Sequence, residues 1–71
     1  KRGVRRVKVE RFGEPLQSAQ ETMNDLLKNG IVPESIVRIR EEGKIIIIIS
    51  TEGEVLLTHE EATHLFGVAI N

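Results

Sequence analysis

Apolar and polar residues alternate along the opening of the chain. Val7 and Val9 fall on one side with Arg5 and Arg11, and Arg6, Lys8 and Glu10 fall on the other. A period of two residues predicts a half-buried strand. Gly13, Glu14 and Pro15 interrupt it. Proline suits the first turn of a helix, where the N–H it lacks would have no partner. The period then changes. Leu16, Ala19, Met23, Leu26 and Leu27 fall within an arc of about 100° at 3.6 residues per turn. Gly30 follows as a stop signal and Pro33 comes soon after, which predicts one helix over 15–29.

Alternation returns from Ser35 to Glu41, with Val37 and Ile39 facing one way and Arg38 and Arg40 the other. Glu42-Gly43 is a candidate two-residue turn, glycine supplying the positive φ. Lys44 then opens a run of isoleucines from Ile45 to Ile49. β-Branched side chains suit a pleated surface. A run with no polar side needs cover on both faces, so it belongs inside a sheet. Thr51 to Glu54 reads as a turn, and Glu54 to Leu57 as a fourth strand. Thr58 and Glu61 have capping-box spacing. They predict a short helix that carries Ala62, Leu65 and Phe66 on one face and stops at Gly67. Val68 to Ile70 is either a last short strand or a tail on the core.

The order is β-α-β-β-β-α. The expected class is α+β, a single domain over 1–71, with a mixed sheet of about four strands. One main helix covers one face and a short C-terminal helix follows. A parallel first pair would make the crossover right-handed. Two strand orders compete, one following the sequence and one with the isoleucine strand between the first two. Both make that strand internal.

Length sharpens the picture. In a chain of 71 residues burial and ordering terms nearly cancel, so a dense core or a partner chain is expected. There is no cysteine, which excludes disulfides, thiol nucleophiles and cysteine-ligated metals and favours a cytoplasmic reading. The isoleucine run is far short of the roughly 20 apolar residues of a membrane helix, so no membrane partner is expected. The charged opening does not resemble a secretory leader, and residues 1–3 are expected to be a flexible basic terminus.

The net charge of −1 hides a split. Lys1, Arg2, Arg5, Arg6, Lys8 and Arg11 stand against Glu10 alone in residues 1–11, while the rest of the chain is acidic. A basic arm on an acidic body suits an anionic partner; a solvated edge strand kept soluble by lysine and arginine is the plainer account. If the first two strands are adjacent, Arg6, Lys8, Arg38 and Arg40 gather on one sheet face. With Arg5 they are the candidate contacts for an anion, a nucleic acid or an acidic protein. Phe12 and Phe66 are the only aromatics, a poor base-stacking surface.

Catalytic material is thin. His59 and His64 are five residues apart, about 140° around a helix, whereas a zinc-protease helix needs histidines four apart. Glu61 with His64 makes one E-x-x-H pair, and a di-metal bundle needs two with further carboxylates. Ser18, Ser35 and Ser50 lack a nucleophile-elbow setting, and no glycine-rich phosphate loop is present. No catalytic, metal or cofactor residue is assigned and no enzyme is expected.

Assembly gives the stronger signal. The main helix can cover only one face of the isoleucine strand, and a short helix with Leu65 and Phe66 is a thin second cover. A second copy of the chain would supply what is lacking, with Ile46, Ile48, Leu65 and Phe66 as candidate self-association residues and a twofold dimer as the simplest outcome. The expected function is a small non-enzymatic intracellular interaction module that self-associates through its sheet. The alternative is a small nucleic-acid-binding or regulatory protein using the basic first strand.

Overall fold

The computed structural model describes residues 4–70. The expectation of a flexible terminus over residues 1–3 lies outside the described residues. The order is β1 Arg5–Phe12, α1 Glu14–Gln17, α2 Gln20–Lys28, β2 Ile36–Glu42, β3 Ile45–Ile49, β4 Glu54–Thr58, α3 His59–Ala62 and β5 Leu65–Ile70. The strands form one sheet in the order β4-β3-β2-β1-β5. This is an α+β fold.

Two details differ from the expectation. The sheet has five strands and every neighbouring pair is antiparallel, so it is not mixed. The single helix over 15–29 is two. The Ser18 hydroxyl donates to the Glu14 carbonyl at 3.1 Å, a local bond that competes with helix continuation. Ala19 leaves helical geometry, with φ −82° and ψ 88°. The break folds the crossover on itself, so the chain re-enters the sheet beside the end it left. There Val9 N–H donates to the Ser35 carbonyl at 2.8 Å, and Glu34 N–H to the Val9 carbonyl at 2.7 Å.

The predicted stop at Gly30 is made by bonding. Gly30 has φ 72°, its N–H donates to Leu27, and the Ile31 N–H reaches back to Leu26. This is a Schellman closure, for which glycine avoids the left-handed penalty. The β2–β3 turn is shifted by one residue from the expected Glu42-Gly43. Glu42 pairs with Ile45, leaving Gly43-Lys44 as the loop with Gly43 at φ 61°.

The core lies on one face. Val7, Val9, Val37, Ile48, Val55 and Leu57 of the sheet meet Leu16 and Leu26 of α1 and α2, with Phe12 and Ile31. Met23, Ile39, Ile46, Ala62 and Leu65 pack at its margin. The isoleucine strand is interior as expected, between β2 and β4. Its second face has no helix over it. Ile45 and Ile49 are half-buried there, while Ile47 is 6% exposed between its cross-strand neighbours Arg40 and Leu56.

The C-terminal reading changes most. The capping box is present, with Glu61 N–H donating to the Thr58 hydroxyl and Thr58 N–H to Glu61 Oε1. The helix nevertheless ends at Ala62. Leu65 and Phe66 belong to β5, whose side chains alternate between faces. Leu65 joins the core opposite Phe12, and Phe66 lies opposite Arg11 on the uncovered face.

Candidate functional site

The uncovered face of the sheet holds most of the candidate residues. Strand register assigns its rows. Glu54, Ile49, Arg38, Arg6 and Ile70 form one row across all five strands. Leu56, Ile47 and Arg40 form the next, then Thr58, Ile45 and Glu42. On the other side lie Ile36, Lys8 and Val68, then Arg11 and Phe66. Arg6, Lys8, Arg38 and Arg40 are thus brought together as alternation predicts. Arg5 is not among them: it pairs with Ile39 on the helix-covered face. Strict alternation would place Arg11 on the face of Val7. A bulge between Val9 and Arg11 adds a residue to β1, and each such insertion reverses which way the following side chains point. Arg11 therefore lands on the uncovered face, its guanidinium carbon 4.2 Å from the Phe66 ring centre.

The cations differ in their partners. Lys8 Nζ is 3.2 Å from Glu34, and Arg40 Nε is 3.6 Å from Glu42. Neither Arg6 nor Arg38 has a carboxylate within 4 Å among the described residues. They line a depression of about 240 Å³ together with Ile36, Ile49, Ser50 and Thr51. The Ser50 hydroxyl is committed to the loop, donating to the Asn29 carbonyl at 2.6 Å and accepting from Glu52 and Gly53 N–H.

Large apolar side chains sit among the charges. Ile36 is 52% exposed, Leu56 60%, Val68 47% and Phe66 38%. The candidate self-association residues divide accordingly. Ile46 and Ile48 are on the helix-covered face, Ile48 being 1% exposed, and Leu65 packs against the core. Only Phe66 of that set is on the uncovered face. Sequence reasoning missed Ile36, Leu56 and Val68 there, and it missed β5 as an edge. β5 has one neighbour, β1. Its sequence Leu-Phe-Gly-Val-Ala-Ile carries no charge, and residues 66–69 are exposed.

The histidines do not converge. His59 Nε2 lies 3.2 Å from the Gly43 carbonyl and 3.4 Å from Glu41, against the β2–β3 hairpin. His64 lines a separate depression of about 130 Å³ with Glu60, Glu61, Pro15, Leu16 and Ala19. Both Glu61 oxygens are engaged, one by Thr58 N–H and the other by the Thr22 hydroxyl at 3.2 Å. Among the described residues no three acidic, histidine or cysteine side chains are placed to hold a metal ion. No described helix is long and apolar enough to cross a membrane. No family model, curated protein or solved structure matches the chain.

Proposed function

We propose that the protein is a small, non-enzymatic, cytoplasmic interaction module that self-associates by adding the β5 edge of one copy to the β5 edge of another. The observation that carries this reading is the bare edge itself. Natural sheets protect an exposed edge with lysine, proline, a bulge or brevity, because its unpaired N–H and C=O groups accept another strand. β4, the opposite edge, is short and begins with Glu54. β5 has no charge and no proline along Leu65–Ile70. Antiparallel pairing of identical strands is self-complementary about a twofold axis, and it is one of the standard modes of strand addition. Two β5 edges meet without charge repulsion. Two uncovered faces would oppose arginine to arginine, which disfavours a face-to-face dimer.

Light scattering coupled to size exclusion, from micromolar to millimolar protein, is the test. Mass should rise from 8.0 kDa to twice that with concentration. Val68→Glu places like charges at the joined edges and should return the chain mass, with the fold retained because Val68 is exposed and its β1 partner is Lys8. A monomer throughout the range refutes the reading.

A second reading, a small nucleic-acid-binding or regulatory protein, is favoured by the gathering of Arg6, Lys8, Arg38 and Arg40 on one face. Its affinity for a short duplex should fall steeply as salt rises and fall again in Arg6→Glu. Absence of binding at low salt removes it.

A further inference from the structure

We infer that Arg6 and Arg38 form a docking point for a single phosphate-class oxyanion in the depression at the ends of β1, β2 and β3. The site belongs to the same face as the nucleic-acid reading but does not require that reading.

Directly opposed residues on neighbouring strands bring their Cβ atoms to about 5 Å, and like charges there repel. Arg6 and Arg38 are such a pair. Each of the other strand cations of this face has a neighbour that draws it: Lys8 is 3.2 Å from Glu34, Arg40 Nε is 3.6 Å from Glu42 though without a hydrogen bond, and Arg11 lies over the Phe66 ring. Arg6 and Arg38 alone lack a described partner, and they are the two cations that line the 240 Å³ depression. Glu54, in the same row, is separated from Arg38 by the β3 strand, about 10 Å at normal strand spacing. Its carboxylate therefore opposes an anion only weakly.

The depression suits a tetrahedral oxyanion. Two guanidinium groups offer planar forks of N–H donors, which match phosphate oxygens in pairs. Ile36 and Ile49 wall the site with apolar surface, and both arginines are exposed, so an anion reaches them directly from solvent. Thr51 is exposed at the rim and can donate its hydroxyl. The Ser50 hydroxyl is held by the loop and serves as wall. An anion seated between the guanidiniums relieves their mutual repulsion, so binding and folding stability are linked.

The shared chemistry is a phosphate oxyanion, and its source is either a free phosphate or a backbone phosphodiester. Thermal unfolding is measured in sodium phosphate and in sodium chloride at matched ionic strength. Phosphate should raise the midpoint by a few degrees beyond chloride. Arg38→Gln should remove that difference while raising the midpoint in chloride, since it ends the like-charge pair. Lys8→Gln, which leaves the depression intact, should keep the phosphate effect. Equal midpoints in the two salts, or an undiminished phosphate effect in Arg38→Gln, overturns the site. A short DNA duplex forms the second arm. Duplex binding weakened about tenfold or more by Arg38→Gln assigns the site to backbone phosphate. A phosphate effect without duplex binding keeps the site and retires the nucleic-acid reading.

Discussion

Glu34 adopts φ 83° and is the only non-glycine residue with positive φ among those described. It is the third residue of a tight turn in which Pro33 is second and Ser35 N–H donates to the Val32 carbonyl at 3.0 Å. That position of a type II turn favours glycine. A left-handed L-residue costs roughly 1–2 kcal/mol. The ion pair to Lys8 that Glu34 gains is exposed and returns at most about 1 kcal/mol. Glu34→Gly should therefore change stability by less than about 1 kcal/mol in urea denaturation, because the lost ion pair and the added freedom of the unfolded chain offset the relieved left-handed strain. A loss well beyond about 1 kcal/mol would assign the ion pair more weight than its exposure allows. Gly67 presents the opposite case. A Cβ there would lie 2.6 Å from Val7 Cγ1 and 2.7 Å from the Lys8 carbonyl oxygen. The close contact is with backbone of the neighbouring strand, which cannot yield without disturbing the ladder. Gly67→Ala should cost about 1–3 kcal/mol. Amide exchange should accelerate first along Leu65–Ile70, because β5 has only one strand neighbour to hold it.

Local hydrogen bonding rather than burial holds α3. None of its residues is buried, and its capping box ties Thr58 to Glu61, which also accepts from Thr22 of α2. Thr58→Ala should cost about 1 kcal/mol in thermal unfolding; a change of only a few tenths would mean that the contacts of α3 with β3 and β4 suffice. Elements of this kind were legible in the sequence because neighbouring residues settle them. So were the isoleucine strand, whose composition fits only a pleated interior, and the grouping of Arg6, Lys8, Arg38 and Arg40, which alternation alone assigns to one face. Elements decided by distant contacts were not. Ala62, Leu65 and Phe66 have helical spacing, and only pairing with β1 makes Leu65 to Ile70 a strand. The apolar arc of the crossover runs unbroken through Ser18 and Ala19, so it conceals the turn between α1 and α2. The bulge in β1 has no local mark, and it moves Arg11 to the face that carries the other cations. Which face of the isoleucine strand is left uncovered depends on where the helices dock. The sequence pattern is symmetrical on that point, so alternation does not reveal that Ile46 and Ile48, candidates for self-association, face the helices.

At the scale of the whole molecule the two proposals fit one geometry. Joining two β5 edges about a twofold axis normal to the sheet leaves both uncovered faces on the same side. The β1 strands of the two copies would then be three strand spacings apart, about 14 Å, with Phe66, Val68 and Ile70 of each copy on the surface between them. The sheet order β4-β3-β2-β1-β5 has a temporal consequence as well. Whenever β5 is undocked, the margin of the sheet is β1, studded with Arg5, Arg6, Lys8 and Arg11. That cationic border repels chance pairing with other chains. Arrival of residues 65–70 covers it and replaces it with a neutral one. Under the proposed edge pairing, an incompletely folded chain is thus guarded by charge, and the neutral margin exists only once the sheet is complete.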